Sequence, residues 1–119
     1  MLDPKTQMDI LVDRELGSAE WTPSAALAYF DGHFPNNPIL PGVAIIDASI
    51  ETLRRALKLE DISVKSIKTC KFTSPILPNT TVEIAFRETN TNEWHFEWRA
   101  KGGEEPRPLL AQLTFVVAL

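Results

Sequence analysis

One segment constrains this chain more than any other. Residues 41–59 form the only long stretch with helical periodicity, and the sequence after them repeats with period two. Ile46, Ile50, Leu53 and Leu57 recur at i, i+4, i+7 and i+11, which makes one apolar stripe. Pro41 cannot continue a helix backwards, so Pro41–Gly42 marks its start. Basic residues Arg54, Arg55 and Lys58 lie near its end, where the helix dipole favours them. A single helix this apolar must be covered by something, and the remainder of the chain offers strands. Before the helix, residues 7–16 and 19–23 read as a first strand and a short second one, with Ser24 capping a possible helical turn over 24–29. After it, residues 62–72 alternate with one phase slip, which suggests a bulge. Residues 80–88 and 93–100 alternate, 109–118 reads as a final strand, and Asn90–Thr91–Asn92 reads as a hairpin turn. The expected class is α+β: a long central helix wrapped by an antiparallel sheet.

The 119 residues suit one domain, 1–119, with no repeat or linker visible. Such a chain buries one modest core. A large ligand pocket would compete with that core, so a pocket built between two protomers is a natural expectation. The net charge of −4 argues against nucleic acid as the main partner. The basic groups Arg54, Arg55, Lys58 and Lys65, Lys68, Lys71 suit an acidic partner or simply solvated faces. The lone cysteine, Cys70, excludes an internal disulfide, fits a reducing, cytoplasmic compartment, and reads as a small buried residue. The N-terminal residues read as neither signal peptide nor anchor, and no run approaches the ~18 apolar residues of a membrane span.

Function concentrates just before the helix, in Tyr29–Asp47, YFDGHFPNNPILPGVAIID. Gly32 lets the chain turn beside His33, and prolines 35, 38 and 41 stiffen the loop. A stiff loop holds an imidazole in one place, as a general base requires. A lone histidine is nevertheless more often structural than catalytic. Asp47 lies in the second helical turn among apolar residues. It also fits a polar stripe with Glu51, Arg54, Arg55 and Lys58, in which Glu51 and Arg55 would pair on a solvated face. Gly42 leaves the first-turn N–H groups open to a carbonyl oxygen at the positive end of the dipole. Pro-Gly also starts helices with no function at all. Taken together, the three make an oxyanion donor, a base and an acid, suited to removing a proton next to a carbonyl and expelling a β-hydroxyl. His95 and Glu97 alternate with Trp94, Phe96 and Trp98, so they read as solvent-facing or cross-strand partners, with the aromatics as core. No spacing suggests a metal site.

GHFPNNPILPGVAIIDA resembles the active-site motif of the β-hydroxyacyl-acyl-carrier-protein dehydratases, which have the hot-dog fold. KFTSPILPNTTVEI, residues 71–84, and the terminal AQLTFVV resemble the strands that follow in that family. The resemblance implies a homodimer, or a higher oligomer of dimers, with sites at the interface. It implies His33 as base, Asp47 of the opposite protomer as acid, and Gly42 N–H as the donor to the thioester carbonyl. Ile39 matches the position whose carbonyl orients the imidazole, and Phe34 and Val43 match positions that shape the acyl tunnel. The implied reaction converts (3R)-hydroxyacyl thioesters on acyl carrier protein to trans-2-enoyl thioesters, with no cofactor beyond the carrier's phosphopantetheine. The acid is Asp where the commonest branch has Glu, Glu51 stands where a glutamine near the acid and its water is usual, and the N-terminus is short. Short relatives of this kind occur in aryl polyene-type biosynthesis. A hot-dog thioesterase and a non-catalytic acyl-binding module are the alternatives.

Overall fold

The computed structural model describes residues 8–30 and 38–119. The strands are β1 (Leu11–Asp13), β2 (Ser18–Trp21), β3 (Ser63–Phe72), β4 (Val82–Asn90), β5 (Glu93–Ala100) and β6 (Ala111–Ala118). A 3₁₀ turn, Ala28–Phe30, precedes the helix α1, Gly42–Leu57. The strands form one antiparallel sheet in the order β1-β2-β4-β5-β6-β3. This is the α+β hot-dog layout that the sequence implies.

Period two explains the core. Val82, Ile84 and Phe86 of β4, Phe96 and Trp98 of β5, and Leu113, Phe115 and Val117 of β6 are all buried on one face. Register aligns them across the sheet: Ile84 opposes Trp98, and Phe86 opposes Phe96, which opposes Leu113. Trp98 meets Trp21 edge-on at 6.1 Å between ring centroids. The aromatic residues of β5 are therefore core, as expected, with Trp94 half-buried beside Phe86. His95 is a cross-strand partner, one ring nitrogen lying 2.8 Å from Thr114 Oγ1 of β6, whereas the other lies 3.3 Å from Glu97 of its own strand.

The helix turns a different face to this core than its large residues suggest. Ala44, Ile45, Ala48, Ser49, Thr52, Leu53 and Ala56 are buried, whereas Ile46, Ile50 and Leu57 are only half-buried. Small side chains let the sheet close tightly around the helix, and the larger ones are displaced to its flanks. The buried hydroxyls on this face are satisfied. Thr52 donates to Ala48 O at 2.7 Å, and Ser49 donates to Ile45 O at 2.8 Å while accepting from Trp98 Nε1 at 3.0 Å. Lys58 ends the helix in the left-handed region, with φ 55°.

Three other expectations change. The first strand is shorter than 7–16, because Arg14–Gly17 turns the chain into β2; Gln7 lies outside the described residues. β3 carries two register shifts rather than one, at Val64/Ser66 and Ile67/Thr69. Cys70 is exposed, not buried, because β3 is an edge strand of the sheet. Burial of the sulfur itself still pushes its thiol pKa up, away from nucleophile behaviour.

Candidate active site

The chain enters the site through a tightly fixed turn. Ser24 accepts from Ala26 N through its hydroxyl at 3.1 Å and from Leu27 N through its carbonyl at 3.0 Å, which bears out its reading as a cap. Leu27 and Phe30 are sunk into the core on either side of Tyr29. His33 and Phe34 lie outside the described residues. Just before the helix, Leu40 is buried with its N–H donating to Ile76 O at 2.8 Å. Pro41, with φ −70° and ψ 155°, is the extended residue from which the helix starts at Gly42.

A cavity of about 260 Å³ opens at this helix start, lined by Ile39, Leu40, Gly42, Ile45, Phe72 and the bend 73–75. The Phe72 ring lies over Gly42 so closely that a Cβ there would stand 2.4 Å from Phe72 Cε2. Glycine is thus needed for the ring and the helix to meet. Pro41 O accepts from Ala44 N at 2.9 Å, so hydrogen bonding begins beyond the first two N–H groups. Among the described residues neither Gly42 N nor Val43 N has a backbone acceptor. The bend is held by Leu110 O, which accepts from Thr73 N and Ser74 N at 2.9 and 3.2 Å. The cavity therefore has largely apolar walls and lies at the positive end of a 16-residue helix, whose first two N–H groups lack a backbone acceptor among the described residues.

Of the residues singled out in the sequence, Ile39 and Gly42 come together here. Asp47 does not line this cavity. Five residues separate it from Gly42, which is about 140° around the helix axis. It is half-buried, and Tyr29 Oη donates to its Oδ2 at 2.6 Å. Val43 is exposed. Phe72 and Tyr29 are not among the residues that the sequence singles out for the site. The signals were present: Phe72 belongs to the second matching motif, and Tyr29 is the chain's single tyrosine, on the flank of the loop.

Glu51 is the largest departure from the expected solvated face. It is only 5% exposed. Arg54 Nε donates to its Oε1 at 2.8 Å, and Arg54 Nη2 and Arg55 Nε donate to its Oε2 at 2.6 and 2.7 Å. Arg55 also donates to the carbonyls of Met8 and Ile10, and Arg54 to that of Leu59. The expected pair with Arg55 forms, but inside the protein, where it clamps the N-terminal segment to the helix. Burial would raise the carboxyl pKa; the two guanidinium groups outweigh it and hold the group below its usual value.

Elsewhere, a cavity of about 280 Å³ opens beside β1 and β2, near Leu11, Leu16 and Glu20, and no residue singled out in the sequence lines it. Among the described residues no cluster of three His, Cys, Asp or Glu is placed to hold a metal. No described helix is long and apolar enough to cross a membrane.

Comparison with known proteins extends these observations. Residues 9–106 match the ApeI-like family, described as ApeI dehydratase. Among curated proteins, a 3-hydroxyacyl-acyl-carrier-protein dehydratase FabZ of Paramagnetospirillum magneticum is 32% identical over 83 residues, 61% of this chain and 52% of that protein. The FabZ of Pseudoalteromonas translucida is 30% identical over 112 residues, 77% of this chain and 73% of that protein. The chain spans about half the length of the first of these relatives. Among solved structures, the dehydratase heterocomplex ApeI:P from Xenorhabdus doucetiae aligns with a TM-score of 0.66 at 26% identity, covering 87% of this chain and 89% of that one. An uncharacterised protein from Erwinia carotovora aligns with a TM-score of 0.71 at 24% identity, over 85% and 81% of the two chains, and supports the fold. On the extent of that family match, with the hot-dog architecture and the glycine-floored cavity beside it, this chain belongs to the ApeI-like dehydratase family.

Proposed function

We propose that this protein dehydrates (3R)-hydroxyacyl thioesters, carried on the phosphopantetheine of an acyl carrier protein, to trans-2-enoyl thioesters. The observation that carries the proposal is Gly42. In a chain of a dehydratase family, it lines a largely apolar cavity at the start of a helix, where the first-turn N–H groups have no backbone acceptor among the described residues. The pathway is fatty acid or aryl polyene-like lipid biosynthesis in the cytoplasm, and the protein brings no cofactor of its own.

The steps follow from the residue types. The thioester carbonyl oxygen accepts from Gly42 N–H, which stabilises the negative charge that develops when C2 loses a proton. His33 takes that proton. Asp47 gives a proton to the C3 hydroxyl, which leaves as water while the C2–C3 double bond forms. Transfer of the proton from His33 to Asp47, directly or through water, resets the site. Ile39 C=O orients the imidazole, and Phe34 and Val43 line the acyl path.

Gly42 and Asp47 face different sides of one helix, which favours a site completed by a second copy. β3, an edge strand, is exposed along nearly its whole length and, among the described residues, leaves an unpaired edge for that copy. The heterocomplex formed by the ApeI:P neighbour favours one second reading, in which a different subunit takes that place.

The test is turnover of a (3R)-hydroxydecanoyl thioester by the full chain and its His33→Ala variant. The proposal requires enoyl thioester from the former and none from the latter. Undiminished turnover by the variant sinks it. Free thiol without enoyl product would indicate a thioesterase, and tight binding without turnover an acyl-binding module.

A further inference from the structure

We infer that Tyr29 is a positioning residue for the dehydration: it fixes one oxygen of Asp47 and leaves the other, Oδ1, as the one that gives its proton to the leaving hydroxyl. The inference rests on the reading of Asp47 as the acid.

Three observations carry it. First, Tyr29 Oη donates to Asp47 Oδ2 at 2.6 Å, a short hydroxyl-to-oxygen hydrogen bond. A phenol is neutral near pH 7, so the hydroxyl donates and Oδ2 accepts. Second, the tyrosine cannot drift. Its ring packs against the hydrophobic core, and its backbone is held between buried Leu27 and Phe30, with Phe30 N donating to Leu27 O at 3.1 Å. Third, Asp47 sits inside the 16-residue helix, so the two partners belong to elements each fixed independently. A bond between two fixed elements orients a carboxylate far better than a bond between mobile side chains.

The chemical consequence is directional. As Asp47 releases its proton, negative charge grows on both carboxylate oxygens. The Tyr29 hydroxyl is already aimed at Oδ2, and its bond strengthens as that charge develops. The contact thus favours the transition state over the bound substrate and acts on kcat rather than on KM.

The experiment is steady-state kinetics of the full chain with a (3R)-hydroxydecanoyl thioester, for wild type, Tyr29→Phe, Asp47→Asn and the double variant. Phenylalanine keeps the ring packing and removes only the hydroxyl. Tyr29→Phe is expected to lower kcat roughly 10- to 100-fold, the range for losing one bond to a charged group, with KM within about twofold. In the Asp47→Asn background the same change is expected to cost nothing further, whereas a loss of general structure would lower both backgrounds alike. Wild-type kcat in Tyr29→Phe, or an equal loss in both backgrounds, overturns the inference while leaving Asp47 as the acid. Wild-type turnover in Asp47→Asn overturns the underlying reading instead, and the inference with it.

Discussion

Replacing Glu51 by glutamine changes one atom and tests whether this carboxylate is a brace or a site group. Its Oε2 accepts two of the three guanidinium bonds and its Oε1 accepts the third. A glutamine oxygen in the Oε2 position keeps two acceptor contacts. Its amide nitrogen then stands where Oε1 was, donor against donor with Arg54 Nε. Losing one charge-assisted bond costs about 1.5–3 kcal/mol. The arginine side chains are 32% and 28% exposed, so water recovers part of that loss. We expect about 2 kcal/mol, or roughly 8 °C in Tm for a chain of this size. Urea unfolding at neutral pH with unchanged m-value measures it. The pH dependence has a definite sign. Glu51 is held below its unfolded pKa, so its contribution is complete above the ordinary carboxylate value and is lost as pH falls through the folded one. The gap between wild type and Glu51→Gln should therefore stay constant near neutrality and close in acid. Because both oxygens face guanidinium groups, kcat below the melting range should stay near the wild-type value. A stability change under about 0.5 kcal/mol, or a large loss of kcat in a folded variant, would show that Glu51 is not a structural brace.

Other perturbations separate folding from turnover. Gly42→Ala puts a methyl group against the Phe72 ring, which is 46% exposed and free to swing outward. Melting should shift by only a few degrees, on the order of 1 kcal/mol, while turnover falls about 100-fold, the cost of a misplacement near 1 Å. Ser49→Ala leaves the buried Trp98 indole N–H without its acceptor and should cost about 1–3 kcal/mol in urea unfolding. Trp94→Phe is the control, because among the described residues the Trp94 indole N–H has no partner to lose. Refolding His33→Ala together with Asp47→Asn should restore roughly a quarter of wild-type turnover, since half the dimers are mixed and each holds one intact site. No recovery would place both residues in one protomer.

How much of this was legible in the sequence depends on the kind of signal. Strand alternation is local, so β5 was read to the residue and the helix nearly so. The helix's buried face was not, because periodicity weighs large apolar residues, whereas a wrapped sheet selects Ala44, Ala48, Ser49, Thr52 and Ala56 for their small size. Glu51 misled for a similar reason. Glu and Arg at i, i+4 look the same on a solvated face and in a buried clamp, and only the carbonyls of Met8 and Ile10, far away in sequence, tell them apart. Cys70 looked buried because its strand alternates, but edge position is a property of the sheet order. At the candidate site, Gly42 and its helix start were readable from Pro-Gly and the stiff loop. The Tyr29 contact spans eighteen residues and leaves no local pattern.

Dehydration itself is tested most directly in reverse. The full chain is incubated with a trans-2-enoyl thioester in deuterium oxide, and the products are read by mass spectrometry. A dehydratase yields an intact 3-hydroxyacyl thioester carrying one deuterium at C2, delivered by the residue that would otherwise remove that proton. Recovery of unchanged enoyl thioester, or of the free acid with its thiol released, would contradict dehydration.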